Sequence, residues 1–117
     1  MNFKELKENM KKNNEEMPKP MELLGDLNEE IALRHLDEKK FVYSGTNIPP
    51  KYKALIALAV GIAMDSQACI LNNTKTAKKS GASNDEIMET FAVAKFSKGA
   101  SAISSSFPAL EWLSNNK

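Results

Sequence analysis

Eleven consecutive residues without a charge or a polar side chain, Ala54 to Met64, constrain this chain more than any other feature. The run is too short to cross a bilayer, which needs about 20 apolar residues. Pro49-Pro50 stands before it and Asp65 after it. Proline fixes φ near the helical value and lacks an N–H, so it suits the first turn of a helix. Leu55, Ile56, Leu58, Val60 and Ile62 then leave the helix no polar face. A helix apolar all round must be covered on every side. In a chain of 117 residues, a second subunit is one source of that cover.

The remaining pattern is helical throughout. Phe3, Leu6 and Met10 recur at helical spacing in a charged first segment, residues 1–17, which precedes a domain over 18–117. Pro18 and Pro20 break that segment, and Pro20 fits the first turn of the next helix. Asp26-Leu27-Asn28-Glu29 reads as a capping box opening a helix with Leu27, Ile31, Leu33 and Leu36 facing inward. This helix is expected to fade at Phe41-Val42-Tyr43, before a loop over 44–47. Asp65 is expected to cap the helix that carries Cys69, with Lys75, Lys78 and Lys79 near its far end and Gly81 as its stop. Ser83-Asn84-Asp85-Glu86 is a Ser-x-x-Glu box, followed by Ile87, Phe91, Ala94 and Lys98 along one face, widened by Met88 and Val93. A small-residue stretch over 99–104 permits close helix approach, and Pro108 opens a last helix with Leu110, Trp112 and Leu113. The fold class is therefore all-α, a bundle of about six helices.

Composition excludes several functions. Sixteen basic and fifteen acidic residues leave a net charge of +1, so nothing draws the chain electrostatically to nucleic acid or an anionic membrane. Residues 1–17 are rich in Lys, Glu and Asn and do not read as a secretory signal. One cysteine forms no internal disulfide, which fits a reducing cytoplasm. With one His and one Cys, no metal site within a protomer is expected, and no glycine pattern cradles a phosphate or another cofactor. The methionines and the aromatics Phe91, Phe96, Phe107 and Trp112 read as core or subunit contacts.

Asp65-Ser66-Gln67-Ala68-Cys69-Ile70-Leu71-Asn72-Asn73 carries the remaining chemistry. A thiol near a helix start gains from the helix dipole, which favours thiolate. A titratable group four residues on would share its face and could exchange its proton. The order Leu55-Ile56-Ala57-Leu58-Ala59-Val60, Cys69, Ser80-Gly81-Ala82, Ser83 to Glu86, Lys98-Gly99-Ala100 resembles the alkylhydroperoxidase D and carboxymuconolactone decarboxylase superfamily over roughly residues 20 to 113. Relatives carry Cys-x-x-Cys-x-x-x-His, with a glutamate twelve residues before the first cysteine. Here those positions read Ser66, Cys69, Asn73 and Ala54. The resemblance implies a helical protomer that assembles into trimers, hexamers or related rings, with the active sulfur near a subunit contact. It also aligns Cys69 with the cysteine that reacts with peroxide.

Ser66 cannot close a disulfide, Asn73 cannot cycle a proton and Ala54 does not titrate. Cys69 therefore has two readings, a reactive thiol or a buried small hydrophobe. His35, the only histidine, replaces the base only if its helix packs over Cys69; otherwise it is a surface residue. Two function classes follow. One is a weak single-cysteine thiol peroxidase, an antioxidant of the peroxiredoxin type that acts on a hydroperoxide and is reduced by an external thiol. The other is a non-catalytic homo-oligomer that binds a small apolar ligand or a partner. Lactone decarboxylation borrows only the superfamily name, because the missing His and Glu remove acid–base chemistry.

Overall fold

The computed structural model describes residues 2–117, and every described element is a helix. Seven helices form: α1 (Phe3–Lys12), α2 (Lys19–Leu27), α3 (Glu29–Ser44), α4 (Pro50–Ala63), α5 (Gln67–Lys79), α6 (Asn84–Ser105) and α7 (Phe107–Asn115). They sort into two compact units, one ending at Thr46 and one spanning Asn47–Lys117.

In the first unit α3 packs against α1 and α2. Phe3, Gly25 and Ala32 are its buried residues. Gly25 is required by its neighbour: a Cβ there would stand 2.0 Å from the tip of the Phe3 ring. The Phe3 N–H donates to Glu29 Oε1 at 2.7 Å, and Lys7 Nζ reaches Asp26 Oδ1 at 3.1 Å. Asp26 is thus a partner of α1 within α2, and the expected box at Asp26 does not form. Asn28 caps α3 instead, accepting from the Ile31 N–H at 3.1 Å. The helix also outruns its expected end, since Phe41, Val42 and Tyr43 remain helical up to Ser44. No proline or glycine interrupts it before Gly45, and β-branched or aromatic residues lower helix propensity by only tenths of a kcal/mol.

In the second unit α4 packs against both α5 and α6. Its core joins Ala54 and Leu58 of α4 to Ala77, Ala82 and Ile87, with Leu55, Ile62, Ile70 and Phe91 packed around them. Leu58 is fully buried. The starts of α4, α6 and α7 were legible. Pro50 and Pro108 stand in first turns, and Ser83 and Glu86 exchange the two hydrogen bonds of a capping box, at 3.0 and 2.9 Å. Lys51 of α4 then reaches Glu86 at 3.0 Å and ties the starts of α4 and α6 together. The Ser83 backbone N–H, followed by Lys51, holds the Glu86 carboxyl below the ordinary glutamate range. Glu86 correspondingly raises the Lys51 ammonium. A depressed carboxyl favours the folded state above its unfolded pKa, and that gain fades as pH falls through the lowered value. For Lys51 the gain is present below its unfolded pKa and fades as pH climbs through the raised one.

Lys98-Gly99-Ala100, the last part of the family-like order, lies inside α6. A single glycine costs a helix about 1 kcal/mol, which a 22-residue helix anchored at Ile87 and Ala94 tolerates.

The first unit supplies a direct check on packing. Gly25→Ala should destabilise the protein by about 1–3 kcal/mol in chemical denaturation followed by circular dichroism, the scale of an overpacked core. In a Phe3→Leu background, which clears the ring, the same substitution should cost measurably less.

Candidate functional site

Cys69 lies two residues inside α5, in its first turn, behind Ser66 as the N-cap. The turn that delivers it is a left-handed helix stop. Asp65 adopts φ +54°, the Asp65 N–H donates to Ile62 O at 3.1 Å, and the Ser66 N–H donates to Gly61 O at 3.0 Å. This is a Schellman motif closing α4, with aspartate where glycine is usual. Asp65 therefore ends α4 and does not cap α5, as the sequence had suggested. A short polar side chain tolerates the left-handed region, and Lys98 of α6 ion-pairs with its carboxylate from across the unit. Gly81 does the same for α5 at φ +96°, in the expected place.

Gly61 explains how closely α4 and α5 meet beside the thiol. A Cβ on residue 61 would lie 3.2 Å from the Cys69 Cβ and 3.4 Å from the backbone of Cys69 and Ile70. The small residue noted in the apolar run thus opens the space against which the first turn of α5 rests.

The sulfur itself is on an exposed residue, so the reading of Cys69 as a buried hydrophobe does not hold. Ser66 is half-buried and its side chain makes no capping bond. Asn73 is half-buried one turn along α5. Ala54 is 1% exposed within the α4 core, among Leu58, Ala77, Ala82 and Ile87. A methyl fills that place in the core where a carboxyl would need a partner. His35 is exposed on α3, in the unit ending at Thr46. Among the described residues, none is seen hydrogen-bonded to the Cys69 sulfur. No group of three or more His, Cys, Asp or Glu is placed to hold a metal ion, and no helix is long and apolar enough to cross a membrane, among those same residues.

The sequence profile of the carboxymuconolactone decarboxylase family matches residues 30–112, from the start of α3 into α7. The chain belongs to that family. The match spans most of the chain and both units, and it begins further along than the residue 20 suggested by the motif order. No curated protein matches the sequence.

Sequence reasoning missed three features of this unit. The Asp65–Lys98 and Lys51–Glu86 pairs join residues far apart in sequence, and nothing local signals them. The third is a groove between α4 and α6, about 410 Å³ in volume, with Tyr52, Ile56 and Val93 among its walls. Ile56 had been assigned to a helix needing cover on every side and Val93 to the apolar arc of α6, while Tyr52 carried no assignment.

The α4–α5 approach is open to test. Gly61→Ala would gain about 1 kcal/mol in an exposed helix from propensity alone. Here thermal unfolding should show no gain or a loss, and alkylation of Cys69 should change rate as the first turn of α5 shifts.

Proposed function

We propose that this family member is a homo-oligomer whose peroxide chemistry is at most a slow, single-thiol reaction at Cys69. One observation carries the reading: the sulfur sits at an exposed helix start with no histidine or carboxylate seen bonded to it. In the reaction that remains, the Cys69 thiolate attacks the distal oxygen of a hydroperoxide. The S–O bond forms as the O–O bond breaks, and the alcohol leaves with a proton taken from water. The resulting sulfenic acid reacts with one external thiol to give a mixed disulfide and water. A second external thiol then releases Cys69 and carries away the disulfide. No step uses a second cysteine, because Ser66 stands where a resolving sulfur would be.

What is missing sets the expected rate. A positioned acid or base contributes roughly 10²–10⁴-fold to a proton-coupled step. Asn73 is unable to supply it, and Ala54 offers a methyl group. Cys69 is exposed in the first turn of α5, so it stays an accessible nucleophile.

Homo-oligomerisation is supported by the second unit itself. Ile56 and Val60 of α4, Met64 at its C-cap, and Val93 and Phe96 of α6 are each more than half exposed, although α4 carries no polar face over these turns. Monomeric proteins rarely expose contiguous apolar patches beyond a few hundred Å². The non-catalytic reading uses the same surfaces, with assembly as the retained property and the thiol as a remnant.

Turnover of an organic hydroperoxide with added dithiothreitol should stay within about tenfold of the same concentration of a small free thiol, far from the 10²–10⁴-fold that acid–base help supplies. Alkylation by iodoacetamide should nonetheless be complete on native protein. Turnover hundreds of times faster than the free thiol, and lost in Cys69→Ser, would contradict the proposal.

A further inference from the structure

Helix α1 is pinned to its unit at its first two turns. Phe3 is its one buried residue, and the tip of the ring rests on the bare backbone of Gly25. Lys7, one turn along, holds its ammonium over the same ring, 5.5 Å from the centre. That ammonium also reaches Asp26 Oδ1 at 3.1 Å and Glu22 Oε1 at 3.8 Å, both on α2. The Phe3 N–H donates to Glu29 Oε1 of α3. One ring, one cation and three carboxylates therefore make the pin. Past Lys7, residues 8, 9, 11 and 12 are exposed and Met10 is half-buried. A cleft of about 710 Å³ runs beside the pin, with Lys4 and Lys11 of α1 and Gly25, Asp26 and Glu29 among its walls. Water and salt thus have access to the ion pairs.

α2 and α3 hold their own junction without α1. Asn28 joins them directly: its N–H donates to Leu24 O at 2.7 Å, closing α2, and its side chain caps α3. The family match begins at residue 30, so α1 lies wholly ahead of it. The connection from α1 to α2 runs over residues 13–18, and its first four residues are exposed. α1 has ten residues, fewer than the roughly 12–15 that a helix needs to persist alone in water. Freed from the pin, it unravels.

We propose that α1 is a salt-releasable strap: it opens from α2 and α3 as a separate step, with Lys7 as the salt-sensitive clasp and Phe3 as the latch in the Gly25 notch. Closed, the strap fills the notch with its own ring. Open, it bares a slot on α2 sized for one aromatic ring. Elements joined by few buried contacts open locally, ahead of global unfolding. The ion pairs at Lys7 are partly exposed, and the Debye length falls from about 10 Å at 0.1 M salt to about 3 Å at 1 M, so added salt loosens the clasp and leaves the ring contact as it was. The device is independent of the thiol reaction, which belongs to the other unit.

Amide hydrogen exchange on the intact chain, read by mass spectrometry, tests the strap, with α2 and α3 as the internal reference. Amides of α1 should exchange faster than those of α2 and α3. Raising sodium chloride from 0.05 to 1 M should speed α1 roughly two- to fivefold, the span of a modest surface ion pair, and leave α2 and α3 unchanged. Lys7→Met should speed α1 at low salt by a similar factor and abolish the further response to salt, whereas Lys7→Arg should keep that response. Phe3→Ala should release α1 at either salt concentration while α2 and α3 stay protected. A single rate shared by α1, α2 and α3 under every condition would overturn the strap. A salt response that persists in Lys7→Met would overturn the clasp.

Discussion

A helix without a polar face, placed in a unit of four helices, is the constraint on which the rest depends. α4 needs cover on every side, and α5 and α6 provide part of it. Leu58 and Ala54 are sealed by Ala77, Ala82 and Ile87, small and medium side chains that let the three helices approach closely. The outward turns of α4 stay in water, along with much of α6 and all of α7. Apolar area removed from water is worth roughly 25 cal/mol per Å², so such a distribution leaves a strong drive for a further partner. The proposed assembly rests on that drive.

The same packing places the thiol. Gly61 allows α5 to begin against α4, and the left-handed Asp65 turn, held by Lys98, sets the direction in which α5 leaves. Cys69 is consequently fixed, exposed, at a helix start that a substrate can reach. The frame supplies access. The side chains around the sulfur supply no proton transfer, because Asn73 does not titrate and Ala54 belongs to the core.

Much of this was legible in the residues. Proline pairs, the Ser83–Glu86 box and Gly81 act through the backbone within a few residues, and each marked its helix end correctly. The all-helical class and the family followed from the same local signals. What escaped was non-local or competitive. Asp26 was drawn to Lys7 of another helix, which left Asn28 to cap α3. Asp65 can serve equally as a helix start or a left-handed stop, and the choice depends on carbonyls at Gly61 and Ile62 that only the closed turn presents. Met88 and Val93 were read as widening the apolar arc of α6, and periodicity reports such an arc without saying which molecule covers it.

The account's central claim is that the scaffold around Cys69 is sound, while the resolving sulfur and the proton-handling His and Glu are absent. The double variant Ser66→Cys/Asn73→His tests it most directly, since the Ser66 side chain makes no capping bond that the change would break. Hydroperoxide turnover with a dithiol reductant should rise on the order of 10²-fold over the parent protein. A correctly folded variant that forms neither a disulfide nor a faster peroxidase would show that the frame no longer holds a competent site.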